Sequence, residues 1–149
     1  MGNVFTDIYQ SAMTIDQIVD EINCFLRFGA IEENKLEKLP EYAAVIAKEI
    51  NVTPTQLRRF YTYVKSIDLV NQQTDPKESN FKDKYKLKFI LPKIAGSSER
   101  NNLKELYKIL AACVRNNKIE SVKDLRIFME FFEAILDYHS TLKPQKQDN

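Results

Sequence analysis

The side chains best placed for chemistry are cations and hydroxyls on one face of a helix predicted over residues 53–67. Thr53 and Gln56 have the spacing of a capping box, and Pro54 fits the first helical position, where no N–H is needed. The helical period gathers five apolar residues into one stripe: Leu57, Phe60, Tyr61, Val64 and Ile67. The other side carries Arg58, Arg59, Thr62, Lys65 and Ser66. We expect the stripe to be buried and the other side to bind an anion, with a merely solvated basic surface as the alternative.

Two later predicted helices add further rows of cations. Asn80 is expected to cap the first, which carries three lysines on one side: Lys82, Lys86 and Lys93. Pro92 predicts a kink or an early end of this helix near Phe89. The second helix, expected over residues 99–117 with Ser98 as its cap, aligns three cations on its flank: Lys104, Lys108 and Arg115. Cys113 falls within the apolar stripe of that helix, which predicts a buried thiol.

The charges are segregated along the chain, although the net charge is only +1. Residues 1–50 carry four Lys or Arg against nine Asp or Glu, a balance of −5. Residues 51–118 carry fourteen against six, a balance of +8, and residues 119–149 carry four against six, a balance of −2. Clustered cations are what phosphate contacts require, so this distribution favours a polyanion bound by the middle of the chain and protein neighbours at its acidic ends.

Residues suited to catalysis or metal binding occur without the spacing that such chemistry needs. The chain has no phosphate-binding glycine loop, no His-Glu-x-x-His and no nucleophile elbow, and its two cysteines lack metal or redox spacing. Glu130, Glu133 and Asp137 form the densest acidic group, which is typical of a charged surface. His139 lies on an apolar stripe, which predicts a core histidine. We therefore predict a protein that is not an enzyme and has no metal and no cofactor.

The remaining segments predict the helices that position these faces. A helix over residues 14–27 begins with a capping box of Thr14 and Gln17, exposes Cys24 and stops at Gly29. Residues 30–40 predict a loop or short helix leading into a helix over residues 41–50, and residues 71–79 predict a polar loop. The last helix, over residues 121–142, is apolar around nearly half of its circumference. We expect it either to be central in the bundle or to pack against a second protein.

Composition places these helices in one domain. Three glycines and five prolines leave little material for the turns of a β protein, so we expect an all-α fold, a compact bundle of about five to six helices. The domain is predicted over residues 1–149, with a flexible tail from about residue 143. No apolar run approaches the roughly 18 residues of a membrane helix, and the first ten residues lack the pattern of a signal peptide. We expect a soluble, cytoplasmic protein that does not bind a membrane.

Three segments in one order resemble a known family. They are TPTQLRRFYTYVKSI, LKFILPKIAGSSER and FMEFFEAILDYHSTL. Together they resemble the small subunit of type III-A CRISPR-Cas effector complexes, the Csm small subunit, over residues 50–142. The most specific parts are residues 56–61, residues 91–95 with Arg100, and residues 131–135 with Tyr138 and His139. The middle segment departs from the family pattern, because residues 96–99 separate it from its arginine.

The resemblance implies a non-catalytic helical subunit that stacks in several copies along the guide-bearing backbone of the complex. The implied partners are guide RNA, target RNA, other copies of the chain, and the backbone and large subunits. Five residues are expected to contact the RNA backbone: Arg58, Arg59, Lys65, Lys93 and Arg100. Four are expected to contribute less: Lys82, Lys86, Lys104 and Arg115. The alternative is a helical protein–protein adaptor that does not bind nucleic acid.

Overall fold

The computed structural model describes residues 13–97 and 102–142, and all regular structure in these ranges is helical. This confirms the all-α prediction. The α-helices are numbered α1 (Ile15–Cys24), α2 (Glu33–Leu36), α3 (Leu39–Glu49), α4 (Pro54–Leu69), α5 (Ile90–Ala95), α6 (Lys104–Val114) and α7 (Val122–Leu142). Two 3₁₀ turns lie at Phe28–Ala30 and Lys84–Phe89. The predicted tail from residue 143, the predicted cap Ser98 and the candidate Arg100 lie outside the described residues.

Helix α7 is the central element of the fold. It packs against α3, α4 and the first 3₁₀ turn, so its wide apolar face is covered within the chain. Three of its phenylalanines are buried: Phe128, Phe131 and Phe132. Phe28 of the 3₁₀ turn and Tyr61 of α4 contact these rings, with centroids 5.5 Å apart in the pairs Phe28–Phe128 and Tyr61–Phe132. The first of the two expectations for this helix is therefore confirmed.

A second group of helices lies around α6. Helix α6 packs against α1 and α5, and α5 in turn packs against α4. Cys113 of α6 is fully buried as predicted, and this burial raises the pKa of its thiol. Helix α6 is shorter than predicted and ends at Val114. Asn116 and Asn117 follow with φ of 58° and 59°, a left-handed conformation that asparagine tolerates better than most residues.

Helix α1 has the predicted beginning and a different end. Thr14 accepts from the Gln17 N–H and the Gln17 side chain accepts from the Thr14 N–H, as a capping box requires. The helix ends at Cys24 rather than at residue 27. At this end the carbonyl groups of Asn23 and Phe25 accept hydrogen bonds from the buried Lys118 instead of from a further turn of the helix. Leu26 is consequently 71% exposed instead of continuing the apolar stripe.

Glycine is needed at position 29 because the backbone there lies close to the carboxylate of Asp124. The prediction that Gly29 terminates α1 is wrong. Its N–H donates to Asp124 Oδ1 over 2.6 Å, and a Cβ at this position would lie 2.4 Å from the same oxygen. Asp124 is completely buried at the start of α7, where its carboxylate also accepts from the N–H groups of Glu120 and Ser121. One carboxylate thus joins the first 3₁₀ turn to the N-terminus of the central helix.

Residues 80–95 differ from the predicted helix. Asn80 is not a cap, because Asp83 adopts the left-handed conformation, with φ of 63°, immediately before the second 3₁₀ turn. The α-helical geometry begins only at Ile90, so the break expected near Phe89 is a change from 3₁₀ to α-helix. Pro92 lies in the first turn of α5, where its missing N–H has no α-helical partner to lose.

Candidate nucleic-acid interface

Helix α4 provides a fixed frame for the candidate arginines. Its capping box is formed as predicted: Thr53 Oγ1 accepts from the Gln56 N–H over 3.1 Å, and Gln56 Oε1 accepts from the Thr53 N–H over 3.0 Å. Four residues of the predicted stripe are buried: Leu57, Phe60, Val64 and Ile67. Because this side is anchored in the core, the opposite side of the helix faces solvent with a defined orientation.

Arg58 and Arg59 occupy the solvent side of α4. Both side chains are exposed, and neither forms an ion pair within residues 13–97 and 102–142. Consecutive residues are about 100° apart around an α-helix, so the two arginines diverge. Arg58 is one turn before Tyr61, which contacts α7, and Arg59 is one turn before Tyr63, which contacts the second 3₁₀ turn. The pair thus spans the exposed face of α4.

Lys65 is less available than the two arginines. Its ammonium group lies 3.3 Å from Oδ2 of the buried Asp68. Burial alone would lower the pKa of Lys65, but the hydrogen bond and the negative charge of Asp68 raise it above its usual value. A phosphate that bound Lys65 would have to compete with this carboxylate.

Lys93 is held at the edge of α4 by an aromatic ring. Its Nζ lies 4.8 Å from the centroid of Tyr63, within the range of a cation–π interaction. The hydroxyl of Tyr63 donates to the carbonyl oxygen of Lys86 over 2.8 Å. These contacts join α4, the second 3₁₀ turn and α5. Lys93 remains exposed and forms no ion pair in the described part of the chain.

The lysines expected to form one row with Lys93 are not arranged as one row. Lys82 precedes the 3₁₀ turn, and the turn has three residues per repeat rather than 3.6, so the α-helical alignment does not apply. Lys86 lies 3.5 Å from Asp83, and this carboxylate offsets its charge. Lys82 has an exposed side chain, while its backbone is bound by the side chain of Asn71.

Lys104 and Arg115 belong to a different part of the surface. Lys104 is exposed at the start of α6, and Arg115 follows the end of that helix. The guanidinium group of Arg115 donates to the hydroxyl of Tyr107 over 3.1 Å. Lys108, on the same helix, is paired with Asp16 and Glu105. Of the eight described candidates, Arg58 and Arg59 on α4 and Lys93 on α5 are exposed without an ion pair, and Lys93 lies over Tyr63, one turn after Arg59.

Acidic side chains border this cationic face on one side. Glu130, Glu133 and Asp137 are exposed on α7, as predicted for a charged surface. Burial, and then the negative charges of Glu133 and Asp137, raise the pKa of Tyr61, so the charges of both carboxylates act on this residue of α4. A bound polyanion is therefore repelled on the α7 side and attracted on the α5 side.

The sequence prediction missed two exposed aromatic residues. Tyr85 and Phe89 of the second 3₁₀ turn are 67% and 54% exposed, with ring centroids 6.3 Å apart. The exposed Lys88 lies between them in sequence and was also missed. Lysine alternates with other residues in KDKYKLKF, a pattern that does not fit an α-helix. The exposed rings were missed because an α-helical period was assumed for this segment.

The described residues contain few other groups that suggest chemistry. No cluster of three His, Cys, Asp or Glu side chains suited to a metal ion occurs in residues 13–97 and 102–142. His139 is buried as predicted, with Nε2 3.2 Å from the carbonyl oxygen of Val52. Cys24 is exposed, also as predicted. None of the described helices is long and apolar enough to span a membrane.

The fold and this surface define an all-α protein with an exposed cationic helix face. The sequence of residues 33–145 matches the family model Csm2 Type III-A, and the chain belongs to this family. It is therefore a small subunit of a type III-A CRISPR-Cas complex, which confirms the resemblance. The match begins ahead of the segments that carried the resemblance and includes α2 and α3. The searches of curated proteins and of solved structures each found no match.

Proposed function

We propose that this small subunit binds RNA and stabilises the duplex of guide RNA and target RNA, in the cytoplasm and without a catalytic step of its own. The observation that carries the proposal is the pair of exposed arginines without ion pairs on α4, together with the exposed Lys93 of α5, which lies over Tyr63 of α4. Base pairing already reads the sequence of the target. A subunit beside the duplex therefore needs only contacts to phosphates and 2′-hydroxyls, which a cationic helix face supplies.

The two arginines are better phosphate ligands than the lysines nearby. A guanidinium group donates two parallel hydrogen bonds to a phosphate and keeps its charge at any physiological pH. Lys65 and Lys86, by contrast, each have a carboxylate within 3.5 Å. We expect Arg58, Arg59 and Lys93 to contribute most, and the other described candidates to contribute less.

The acidic border on α7 gives the proposed RNA path a direction. Glu133 and Asp137 of α7 repel phosphates near Tyr61, whereas Lys93, which lies over the ring of Tyr63, attracts them on the α5 side. The RNA backbone is therefore expected to cross α4 towards α5 and the second 3₁₀ turn. The acidic segments, which include the exposed Asp20 and Glu21 of α1, are left for contacts with neighbouring subunits and with other copies of the chain.

The proposal is tested by the salt dependence of RNA binding. A type III-A complex is reconstituted with this chain or with the double variant Arg58→Ala/Arg59→Ala, and its affinity for target RNA is measured at several salt concentrations. Each lost phosphate contact lowers the slope of log K against log salt by about one unit, so we expect a decrease of about two for each copy of the subunit that contacts the RNA.

The matched control is Lys35→Ala/Lys38→Ala, which removes the same charge from exposed positions in and next to α2. This control is expected to leave the slope unchanged. An unchanged affinity and slope for the arginine variant, with its circular dichroism intact, would contradict the proposal.

A second candidate function is that of a protein–protein adaptor without RNA contacts. It is favoured by the exposed Leu26, which lines an open groove of about 240 Å³ together with Phe25, Ile31, Glu21 and Glu32. Lys35 lines the groove as well, so its charges are mixed. An exposed aliphatic side chain in such a groove suits a protein partner better than RNA. In this case Leu26→Ala lowers incorporation into the complex, and the arginine variant leaves RNA affinity unchanged.

A further inference from the structure

Tyr85 and Phe89 are unusual among the aromatic residues that the structure describes because they expose large ring surfaces. The other large exposed apolar side chains in the described residues are aliphatic: Leu26, Leu69 and Val70. The two rings meet edge to face, with an interplanar angle of 89°. In this arrangement each ring can present a face to a planar group that approaches from solvent.

The backbone that carries this aromatic pair is fixed at several points. Asn71 is buried, and its side chain donates to the carbonyl oxygen of Lys82 over 2.9 Å and accepts from the Lys82 N–H over 3.2 Å. Tyr63 donates to the carbonyl oxygen of Lys86, two residues before Lys88. Leu87 is buried beneath the turn. The backbone that carries the rings is therefore fixed before any ligand binds, which lowers the entropic cost of binding.

Tyr85 also forms one wall of an open groove of about 470 Å³. Apolar side chains, including Phe81, Leu87 and Ile119, line the groove, and the amide side chains of Asn80 and Asn117 are among its polar groups. This size falls within the range of small-ligand sites. An aromatic wall with amide groups beside it matches a nucleobase, which has two flat faces and a polar edge.

The charges around the pair favour nucleic acid over protein. Lys84 is paired with Glu120 and Lys86 with Asp83, but Lys82 and Lys88 form no ion pair in the described chain. Protein interfaces are depleted of lysine, whereas sites for single-stranded nucleic acid combine aromatic rings with cations. Tyr63 links this turn to α4, so the site is continuous with the proposed RNA path over Arg59 and Lys93.

We propose that Tyr85 and Phe89 form a stacking site for an unpaired nucleotide of RNA. This inference rests on the proposed RNA-binding function. Bases inside a duplex are already stacked on their neighbours and present no free face, so exposed rings beside a duplex-binding surface suit a base that is unpaired or at the end of the duplex. Lys88 is the cation placed to contact the adjoining phosphate.

The test follows the fluorescence of single 2-aminopurine substitutions, which falls when this base stacks on an aromatic ring. Complexes are reconstituted with the wild-type chain, Tyr85→Ala or Tyr85→Phe, and are mixed with target RNAs that carry 2-aminopurine at successive paired and unpaired positions. At one or more unpaired positions we expect quenching with the wild type and Tyr85→Phe, and recovery of fluorescence with Tyr85→Ala. The affinity of Tyr85→Ala for such an RNA is expected to fall roughly tenfold.

The salt slope separates stacking from charge. Tyr85→Ala removes no cation and is expected to keep the wild-type slope, whereas Lys88→Ala is expected to lower it by about one unit and to keep the quenching. Identical fluorescence for Tyr85→Ala and Tyr85→Phe at every position would overturn the inference. A loss of incorporation into the complex with Tyr85→Ala would also overturn it, because the rings would then contact protein.

The two proposals fail in different ways. If Arg58→Ala/Arg59→Ala lowers the salt slope while Tyr85→Ala changes neither affinity nor fluorescence, the stacking site is wrong and the proposed function stands. If neither variant changes RNA binding, both are wrong.

Discussion

Helix α4 and residues 80–95 both combine exposed cations with aromatic side chains, but they differ in how far their aromatic rings are exposed to solvent. Helix α4 buries Phe60 and exposes Arg58 and Arg59 without ion pairs. In residues 80–95 the charge of Lys86 is offset by Asp83, while Tyr85 and Phe89 are exposed. The composition of a segment therefore does not show which of its groups are available for binding. Ion pairs and backbone geometry decide that.

The difference originates in the backbone. In α4 the capping box, the proline at the first position and the apolar period all favour the same α-helix. In residues 80–95, the apolar period favours an α-helix, but Asp83 in the left-handed conformation and the following 3₁₀ turn place the side chains at a different angular spacing. The four residues of the predicted apolar stripe, Leu87, Ile90, Leu91 and Ile94, are still buried, whereas Tyr85 and Phe89 are exposed.

The largest expected effect is on folding stability, when one phenylalanine from each of the two regions is replaced by alanine. Phe60 is almost fully buried, so Phe60→Ala is expected to lower the free energy of unfolding by about 3 to 5 kcal/mol. Phe89→Ala is expected to change it by less than about 0.5 kcal/mol, because Phe89 is more than half exposed. Urea titration followed by circular dichroism measures both. Equal losses of stability for the two variants would contradict the proposed contrast between a buried and an available ring.

A smaller effect is expected from the residues predicted to begin each segment. Thr53→Ala removes an observed cap and is expected to cost about 1 kcal/mol. Asn80→Ala is expected to be nearly neutral, because Asn80 caps no helix in the structure. Thermal unfolding of the two variants beside the wild type tests this difference. A cost for Asn80→Ala as large as that for Thr53→Ala would show that the expected helix forms in solution.

The sequence predicted those parts of the fold whose signals are local. The capping boxes of α1 and α4, the buried Cys113 and the wide apolar face of α7 follow from spacings within one helix, and all are present. The end of α1 depends on Lys118, which is more than ninety residues away in sequence. Likewise Gly29 is required by Asp124. Such contacts are formed by tertiary packing and cannot be predicted from the spacing of residues within one helix.

The candidate interface was predictable to a similar degree. A helical wheel correctly placed Arg58 and Arg59 on the solvent side of α4. It does not show the ion pair of Lys65 with Asp68, three residues later, because a helical wheel gives the direction of a side chain and not its contacts. The exposed rings of Tyr85 and Phe89 were missed because the wheel assumed α-helical geometry where the chain forms a 3₁₀ turn. The sequence therefore located the basic face, and the structure was needed to separate free cations from compensated ones.

The smallest expected effect distinguishes a compensated lysine from a free one. Lys65→Ala removes the partner of a buried carboxylate and is expected to cost up to about 1 kcal/mol of stability, with little change in the salt slope of RNA binding. Lys93→Ala is expected to lower the salt slope of RNA binding by about one unit. Its loss of stability is expected to be smaller than that of Lys65→Ala, since Lys93 has no carboxylate partner in the described residues.

The pH dependence of stability tests the same distinction. Because the folded chain holds the pKa of Lys65 above its usual value of 10.5, its ion pair with Asp68 stabilises the protein below that pH. This contribution is lost as the pH rises through the folded-state pKa. The difference in unfolding free energy between the wild type and Lys65→Ala should therefore be constant from neutral pH to about pH 10 and shrink at higher pH, where urea titrations measure it. If the difference in unfolding free energy persists unchanged above about pH 11, Lys65 stabilises the fold through packing of its aliphatic stem and not through its charge. The ion pair with Asp68 would then not explain a smaller contribution of Lys65 than of Lys93 to RNA binding.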